Sequence, residues 1–251
     1  TVGKNAQVKF IEKIQNINCH SSFVNHFTQI NCGRNSNVEY NKIQNNTSKS
    51  RLIDSMNILQ EQDSVCNVNS LIFGGEFIRN NLNFEQNGKN AESNMNGISV
   101  LNNSQLADNH TFVDHKSANC RSNEMYKGVY LDSSRGVFNG KIMVRQDSQK
   151  IDAFQANNTL LLSENATINS KPQLEIYADD VKCSHGCTIG QLDEAALFYM
   201  RSRGIKIKEA QGLLTYAFAS EAINNIDIQE VASLAKSLLA EKLNVSLDLS
   251  L

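Results

Sequence analysis

The sequence predicts a mainly β protein that ends in a small α-helical module. Short segments that alternate apolar and polar residues follow one another up to about residue 190. Clusters of asparagine and glycine separate these segments, and the only proline is Pro172. After Gly190 the apolar spacing becomes that of helices. We therefore expect a β domain over residues 1–190 and a helical module over residues 191–251.

The predicted strands are brief and evenly distributed. They cover residues 8–14, 22–30, 50–58, 70–77, 97–101, 111–115, 140–144, 150–154 and 174–177. Asparagine tolerates left-handed backbone geometry, so it suits the repeated corners of a solenoid. The rhythm without an exact repeat fits a β-helix, in which each turn buries its inward residues against its neighbours. A β-sandwich fits the same strand spacing.

Three helices are predicted after the strands. Asp193 is the expected N-cap of the first, which carries Arg201 and Arg203 near its negative end and stops at Gly204. The second has an apolar stripe of Ala210, Leu213, Leu214, Ala217, Phe218 and Ala222. Asp227 and Glu230 form a predicted capping box for the third, whose apolar residues are Val231, Leu234, Ala235, Leu238 and Leu239. We expect these stripes to pack on each other and on the end of the β domain.

The strongest chemical motif is a Cys-x-His-x-Cys group at Cys183, His185 and Cys187. In an extended segment all three side chains point to one face, and thiolate and imidazole suit zinc, iron or iron–sulfur clusters. Alternate residues of a strand lie about 7 Å apart, so the three ligands alone form an incomplete site. The structural interpretation makes the cysteines small inward hydrophobes and the histidine an exposed polar residue.

Other patterns exclude several function classes. Cys19, His20, His26 and Cys32 match no standard zinc spacing, so we interpret them as structural. His110 and His115 fall on opposite strand faces.

The formal charge of -2 gives no basic footprint for nucleic acid, and no apolar run is long enough for a membrane span. There is no phosphate-binding loop or nucleophile motif. The six scattered cysteines favour a reducing, cytoplasmic location.

Three stretches carry a resemblance to a known family. Residues 171–204, FNGKIMV at residues 138–144 and QANNTLLLS at residues 155–163 resemble the SufB/SufD family of iron–sulfur cluster assembly scaffolds. The match covers roughly residues 126–222, and CSHG at 183–186 and RSRG at 201–204 look more like the SufD branch. Cys187 departs from the small residue expected there. The resemblance implies a right-handed parallel β-helix, preceded in this family by a helical region that we expect outside this chain.

The resemblance also implies a function and its residues. The chain would be a non-catalytic scaffold subunit that pairs with a SufB-like paralogue and docks a SufC-like ABC ATPase, since it has no nucleotide site of its own. His185, with Cys183 and Cys187 beside it, would bind iron or a transient iron–sulfur cluster at the subunit interface. The implied docking segment is 195–220, with Leu197, Phe198, Arg201, Arg203, Leu213, Tyr216 and Phe218 as its candidates. An isolated chain could form a homodimer.

Two alternatives stay open. A carbohydrate-binding or carbohydrate-active β-solenoid would need an aromatic or acidic groove, and this chain has no tryptophan. A SufB-type subunit would receive sulfur directly on a cysteine, for which Cys183 and Cys187 are the candidates. Detection of a persulfide on either thiol would favour that interpretation.

Overall fold

The computed structural model describes residues 1–16, 20–46 and 49–245. A β-solenoid of about six turns is followed by three C-terminal helices. The strands are β1 (Gln7–Ile14), β2 (Ser22–Cys32), β3 (Asn37–Asn45), β4 (Ser50–Gln60), β5 (Val65–Gly74), β6 (Phe77–Gln86), β7 (Glu92–Leu101), β8 (Leu106–His115), β9 (Arg121–Tyr130), β10 (Arg135–Val144), β11 (Ile151–Leu161), β12 (Thr167–Ile176) and β13 (Val181–Gly190). The helices are α1 (Glu194–Ser202), α2 (Ile207–Ile223) and α3 (Gln229–Leu243).

Each turn of the solenoid gives one strand to each of two parallel sheets. The odd-numbered strands form a seven-stranded sheet in the order β1 to β13, and the even-numbered strands form a six-stranded sheet from β2 to β12. This topology confirms the parallel β-helix and excludes the β-sandwich, whose strands are antiparallel. Gln7 pairs with Asn37 whereas Arg51 pairs with Phe77, so the turns differ in length. That variation explains why the sequence shows no exact repeat.

Asparagines occupy the corners, as predicted. Asn35, Asn90, Asn103 and Asn119 have positive φ angles of 54°, 57°, 54° and 61°. Asparagine adopts this left-handed conformation more readily than most residues because its short side chain hydrogen-bonds locally. These four corners therefore do not require glycine.

The interior contains both apolar and polar side chains. The largest apolar cluster includes Val38, Met56, Phe84 and Phe138, all buried. Amides also stack inside, where Gln44 and Asn80 exchange hydrogen bonds of 2.9 and 3.0 Å. Satisfied amide pairs allow polar residues at inward positions, because a buried polar group is costly only when it lacks a partner.

Part of the strand prediction is wrong. The predicted strand 70–77 crosses a corner, where Gly75 has a φ of 124°, so β5 ends at Gly74 and β6 begins at Phe77. The prediction also missed β3, β6 and β9. In β6, FIRNNLNFEQ, the inward residues include Asn80 and Gln86, so polar residues occur on both faces and the alternation is lost.

The first helix has the predicted caps. Asp193 accepts a hydrogen bond of 2.9 Å from the Ala195 N–H, and Gly204 follows α1 with a φ of 88°. The capping box is wrong, because Ile228 is the N-cap of α3 and makes no side-chain cap hydrogen bond. The Asp227 carboxylate instead accepts a hydrogen bond of 3.1 Å from the Lys9 ammonium.

The helices do not pack on the end of the solenoid, which corrects the prediction. Helices α2 and α3 cover the outer face of the seven-stranded sheet, where Ile43, Leu71, Ile98 and Val129 share one buried cluster with them. Burial of this patch of outward apolar residues stabilises the contact between helices and sheet. No helix among the described residues has the length and apolar character needed to span a bilayer.

The buried stripe of α2 differs from the prediction. Its buried residues are Ala210, Thr215, Ala219, Ala222 and Ile223. Leu213, Leu214 and Phe218 are only half-buried and Ala217 is exposed. In α3, Leu234 is exposed rather than packed. Small residues face the sheet because they let the helix approach it closely.

A buried lysine connects the sheet to α2. Lys127 of β9 donates a hydrogen bond of 3.0 Å to the Phe218 carbonyl and a second one to the Glu221 carboxylate. Its ammonium lies 4.3 Å from the centroid of the Phe218 ring. An ammonium so buried needs these partners, since an unpaired buried charge is strongly unfavourable.

Candidate functional site

The candidate site lies on the last strand of the solenoid. Strands β12 and β13 end the two sheets on the same side, and within the described residues neither has a strand partner on its outer edge. In the register of β13 with β11, Cys183 lies beside Ala153, His185 beside Gln155, and Cys187 beside Asn157.

The three predicted ligands share the inward face. Ala153, Gln155 and Asn157 are buried inside the solenoid, and paired residues of neighbouring parallel strands point the same way. The sequence prediction of one face for Cys183, His185 and Cys187 is therefore confirmed. Because no strand covers β13, these side chains border the open end of the solenoid.

The three side chains differ in exposure. Cys183 is half-buried and packs against a cluster that contains Ile142 and Ile151. Burial raises the pKa of the Cys183 thiol above its usual range, which favours the protonated form. His185 and Cys187 are exposed. Since inward neighbours on one strand lie about 7 Å apart, these three residues do not form a closed tetrahedral centre by themselves.

Oxygen atoms line the interior directly behind β13. Glu124, Gln155 and His185 occupy the same inward position on β9, β11 and β13. The Gln155 amide donates a hydrogen bond of 2.7 Å to a Glu124 oxygen, and burial raises the pKa of the Glu124 carboxyl to about 7. Within the described residues, buried oxygens of Glu124, Gln155, Asn157, Thr159 and Ser170 lack a hydrogen-bond partner. Such a set of acceptors favours a cation or a donor.

Apolar side chains surround the open end. Ile176 is the last residue of β12, Tyr177 follows it, and Ile189 lies near the end of β13. All three are exposed, Tyr177 by 62% and Ile189 by 51%. Exposed apolar groups beside unpaired strand edges are typical of protein–protein contacts.

The predicted docking residues fall into two groups. On α1, Phe198 is 73% exposed, Arg201 and Arg203 are exposed, and Leu197 is half-buried. On α2, Leu213 is half-buried, while Tyr216 and Phe218 pack against the cluster between helices and sheet. The α1 residues are therefore accessible, whereas Tyr216 and Phe218 contribute to internal packing.

Sequence reasoning missed a second charged cluster at the other end of the solenoid. Glu12, His26 and Asp54 offer ligand atoms within 4.8 Å of one another. The buried Lys42 ammonium already contacts Asp54 and lies 3.8 Å from Glu12, which compensates the carboxylates. The inward position of each residue could be read only from the strand register.

The remaining cysteines and histidines have structural roles where the structure describes them. Cys32 and Cys66 are buried, and the Cys32 contact and burial raise the pKa of the Cys66 thiol. Cys19 lies outside the described residues. His110 and His115 occupy opposite faces of β8, as predicted; His110 lies 2.9 Å from Asp108, and His115 is fully buried.

Comparisons with known proteins identify the family of this fold. Residues 1–218 match the family model described as the SufBD core domain of the SUF system for iron–sulfur cluster assembly. The iron–sulfur cluster assembly protein SufD of Escherichia coli is 34% identical over 220 residues, covering 88% of this chain and 52% of that protein. An iron–sulfur cluster assembly SufBD family protein of Synechocystis is 33% identical over 235 residues, covering 90% and 52%.

A third relative covers less of the chain. The SufD protein of Bacillus subtilis is 35% identical over 115 residues, which is 46% of this chain and 26% of that protein. The chain thus spans about half the length, or less, of the curated relatives that it matches.

Proposed function

This chain belongs to the SufBD core family of the SUF iron–sulfur cluster assembly system, and from that premise we propose that it is a scaffold subunit of SufD type. The observation that carries the proposal is the Cys183-Ser184-His185-Gly186 motif on the uncovered face of β13. A site with too few convergent ligands in one chain fits a centre completed by a partner. The reaction would occur where two subunits meet.

We propose that the partner is a SufB-like paralogue that binds the open end of the solenoid. The outer edges of β12 and β13 can extend their sheets by backbone hydrogen bonds, as in other strand-addition contacts. Tyr177 and Ile189 would supply apolar contact around the hydrogen-bonded edges. In an isolated chain the same surface would join two copies.

His185 is the proposed ligand for iron or for a nascent cluster, which is the substrate of the scaffold. A neutral imidazole nitrogen has the lone pair that binds iron, and protonation removes it. Cys183 holds its proton because of burial, so binding through that sulfur would release a proton. Cys187 is exposed and lies on the same face as a further thiol.

We propose that α1 docks a SufC-like ABC ATPase. Phe198 and Tyr199 are exposed aromatic side chains, and Arg201 and Arg203 lie close to them along the chain. Aromatic and arginine side chains are enriched at the centres of interfaces. ATP-driven closure of the partner would open the subunit interface only if the partner contacts the opened state better than the closed one.

A cytoplasmic location agrees with this proposal, because the site needs reduced thiols. The described cysteines, Cys32, Cys66, Cys120, Cys183 and Cys187, are all free. Structural disulfides are rare in the reducing cytosol.

Co-purification tests the partners. We expect the affinity-tagged chain, isolated anaerobically from its own host, to bring with it an ABC-type ATPase and a β-helix paralogue. Ile189→Lys should remove the paralogue but keep the ATPase, and Phe198→Glu should do the reverse. Ile11→Lys is the matched control, since Ile11 is 57% exposed on β1, at the opposite edge of the sheet from β13. Recovery of neither protein with a folded bait contradicts the proposal.

Iron loading tests the site. His185→Ala should lower the iron bound per reconstituted complex at least tenfold without lowering the yield of folded complex. His110→Ala is the matched control, because His110 is on β8 of the other sheet. Normal iron content in the His185→Ala complex would reject the assignment.

A further inference from the structure

We propose that Gln155 is the positioning residue of the candidate site, and that its amide oxygen accepts a hydrogen bond from the His185 imidazole and fixes its tautomer. The inference rests on the proposed role of His185 and adds the group that orients it. Gln155 lies outside the family motif at residues 183–186, one turn of the solenoid earlier.

The amide is held from behind. Its nitrogen donates a hydrogen bond of 2.7 Å to Glu124 on β9, the strand on the side away from β13. The oxygen and nitrogen of a planar amide diverge from the same carbon, so an amide whose nitrogen binds Glu124 on β9 can present its oxygen to β13, the strand on the other side. That oxygen is buried and has no hydrogen-bond partner among the described residues. A buried acceptor without a partner is unfavourable, and it is a ready site for an N–H donor.

The amide also has a fixed place across the lumen. Gly140 of β10 faces it, and a Cβ at that position would overlap the Gln155 amide nitrogen. The glycine of the FNGKIMV stretch therefore leaves the space that the amide fills. Glu124 on one side and Gly140 on the other restrict the rotation of the Gln155 side chain.

His185 is the donor within reach. It pairs with Gln155 in the strand register, and neighbouring strands lie about 4.8 Å apart. An imidazole that turns toward the lumen brings one ring N–H to the Gln155 oxygen. The other ring nitrogen then keeps its lone pair and faces the open end. Histidine ligands in metal sites commonly donate their second N–H to such an oxygen, which fixes the tautomer and raises ligand basicity.

Nitrogen-15 NMR of the histidine side chains in the full chain tests the hydrogen bond directly. At pH 8 we expect His185 to occupy a single tautomer, and Gln155→Met to convert it to a mixture of both. Asn157→Leu is the matched control, because it removes a buried amide on the same strand that faces Cys187 instead. Glu124→Gln should preserve the single tautomer, since the new amide oxygen still accepts from Gln155.

A second variant guards against misfolding of Gln155→Met. Gly140→Ala leaves β11 unchanged and displaces the amide from the opposite sheet, so it should also mix the tautomers. In the reconstituted complex, Gln155→Met should lower iron affinity about 10- to 100-fold, as expected for loss of an orienting partner.

The outcomes separate the two proposals. An unchanged His185 tautomer in a folded Gln155→Met chain overturns the inference, even if His185→Ala abolishes iron loading. A mixed tautomer in Gln155→Met together with normal iron loading in His185→Ala upholds the hydrogen bond and rejects the proposed function. A mixed tautomer in the Asn157→Leu control also overturns the inference, because the effect would then not be specific to Gln155.

Discussion

Replacement of Glu124 by glutamine isolates the effect of one buried carboxyl on the pH dependence of folding. Burial raises the pKa of this group from its ordinary value of 4.5 to about 7. Between these two pH values the folded chain keeps a proton that the unfolded chain has lost. The contribution of Glu124 to the free energy of unfolding therefore falls as the pH rises from 4.5 to 7, and it is constant above that.

The size of the effect follows from the two pKa values. At about 1.4 kcal/mol per pH unit, the loss by pH 8 is about 3 kcal/mol. Glu124→Gln keeps an acceptor for the Gln155 amide but cannot ionise. The variant should equal the parent chain within a constant offset at pH 4, and should gain about 3 kcal/mol relative to it by pH 8.

Urea denaturation followed by circular dichroism, repeated from pH 4 to pH 8, measures this difference. Because all other titrating groups are shared, the difference between the two chains reports Glu124 alone. Glu164→Gln is the matched control, since the same substitution is made there at an exposed carboxyl. A flat difference for Glu124→Gln across this range would show that the folded carboxyl is ionised, and would refute the reasoning.

The other predictions concern three further positions. Burial lowers the pKa of His115 to about 4, so the contribution of this residue to the free energy of unfolding should fall by about 3 kcal/mol as the pH falls from 6.5 to 4, opposite in sign to that of Glu124; the difference between the parent chain and His115→Gln should show this slope in the same titration. Lys127→Met should lower the free energy of unfolding by about 1–2 kcal/mol and speed hydrogen exchange in α2. Glu221→Gln, at an exposed carboxylate, should change the free energy of unfolding by less than about 1 kcal/mol. Equal effects of the two substitutions would contradict a buried lysine. Gly97→Ala should cost about 1–3 kcal/mol in thermal denaturation, because its Cβ would overlap the Tyr126 ring; an unchanged Tm would show that the ring can move.

The sequence predicted those features of the fold that depend on local chemistry. The asparagine corners and the caps of α1 follow from preferences of single residues, and the shared face of alternate residues in an extended segment follows from a period of two. The common face of Cys183 and His185 needed only that period. The choice of β-helix over β-sandwich needed the family resemblance, because both folds produce short alternating strands.

The features that were missed depend on residues far apart in the chain. Gln44 and Asn80 look like surface residues in the sequence, yet each satisfies the other inside the solenoid. The position of α2 was missed because Ile98 and Val129 form an apolar patch only when β7 and β9 lie side by side. The alignment of Glu124, Gln155 and His185 likewise depends on a register between turns of unequal length.

Helices α2 and α3 cover only part of the seven-stranded sheet, so the turns of the solenoid do not all unfold with the same cooperativity. Helix α2 contacts β7 and β9 and α3 contacts β5, so several central turns must open together with the helices. A solenoid without such helices would begin to unfold at any turn. In the apolar cluster between the helices and the sheet, the buried sheet residues come from β3, β5, β7 and β9. Strand β13 contributes none of them and is held by its pairing with β11. The last turn can thus fray at a smaller free-energy cost than the central turns that contact the helices. A partner can replace the hydrogen bonds of β13 one pair at a time, while the central turns that contact the helices remain folded.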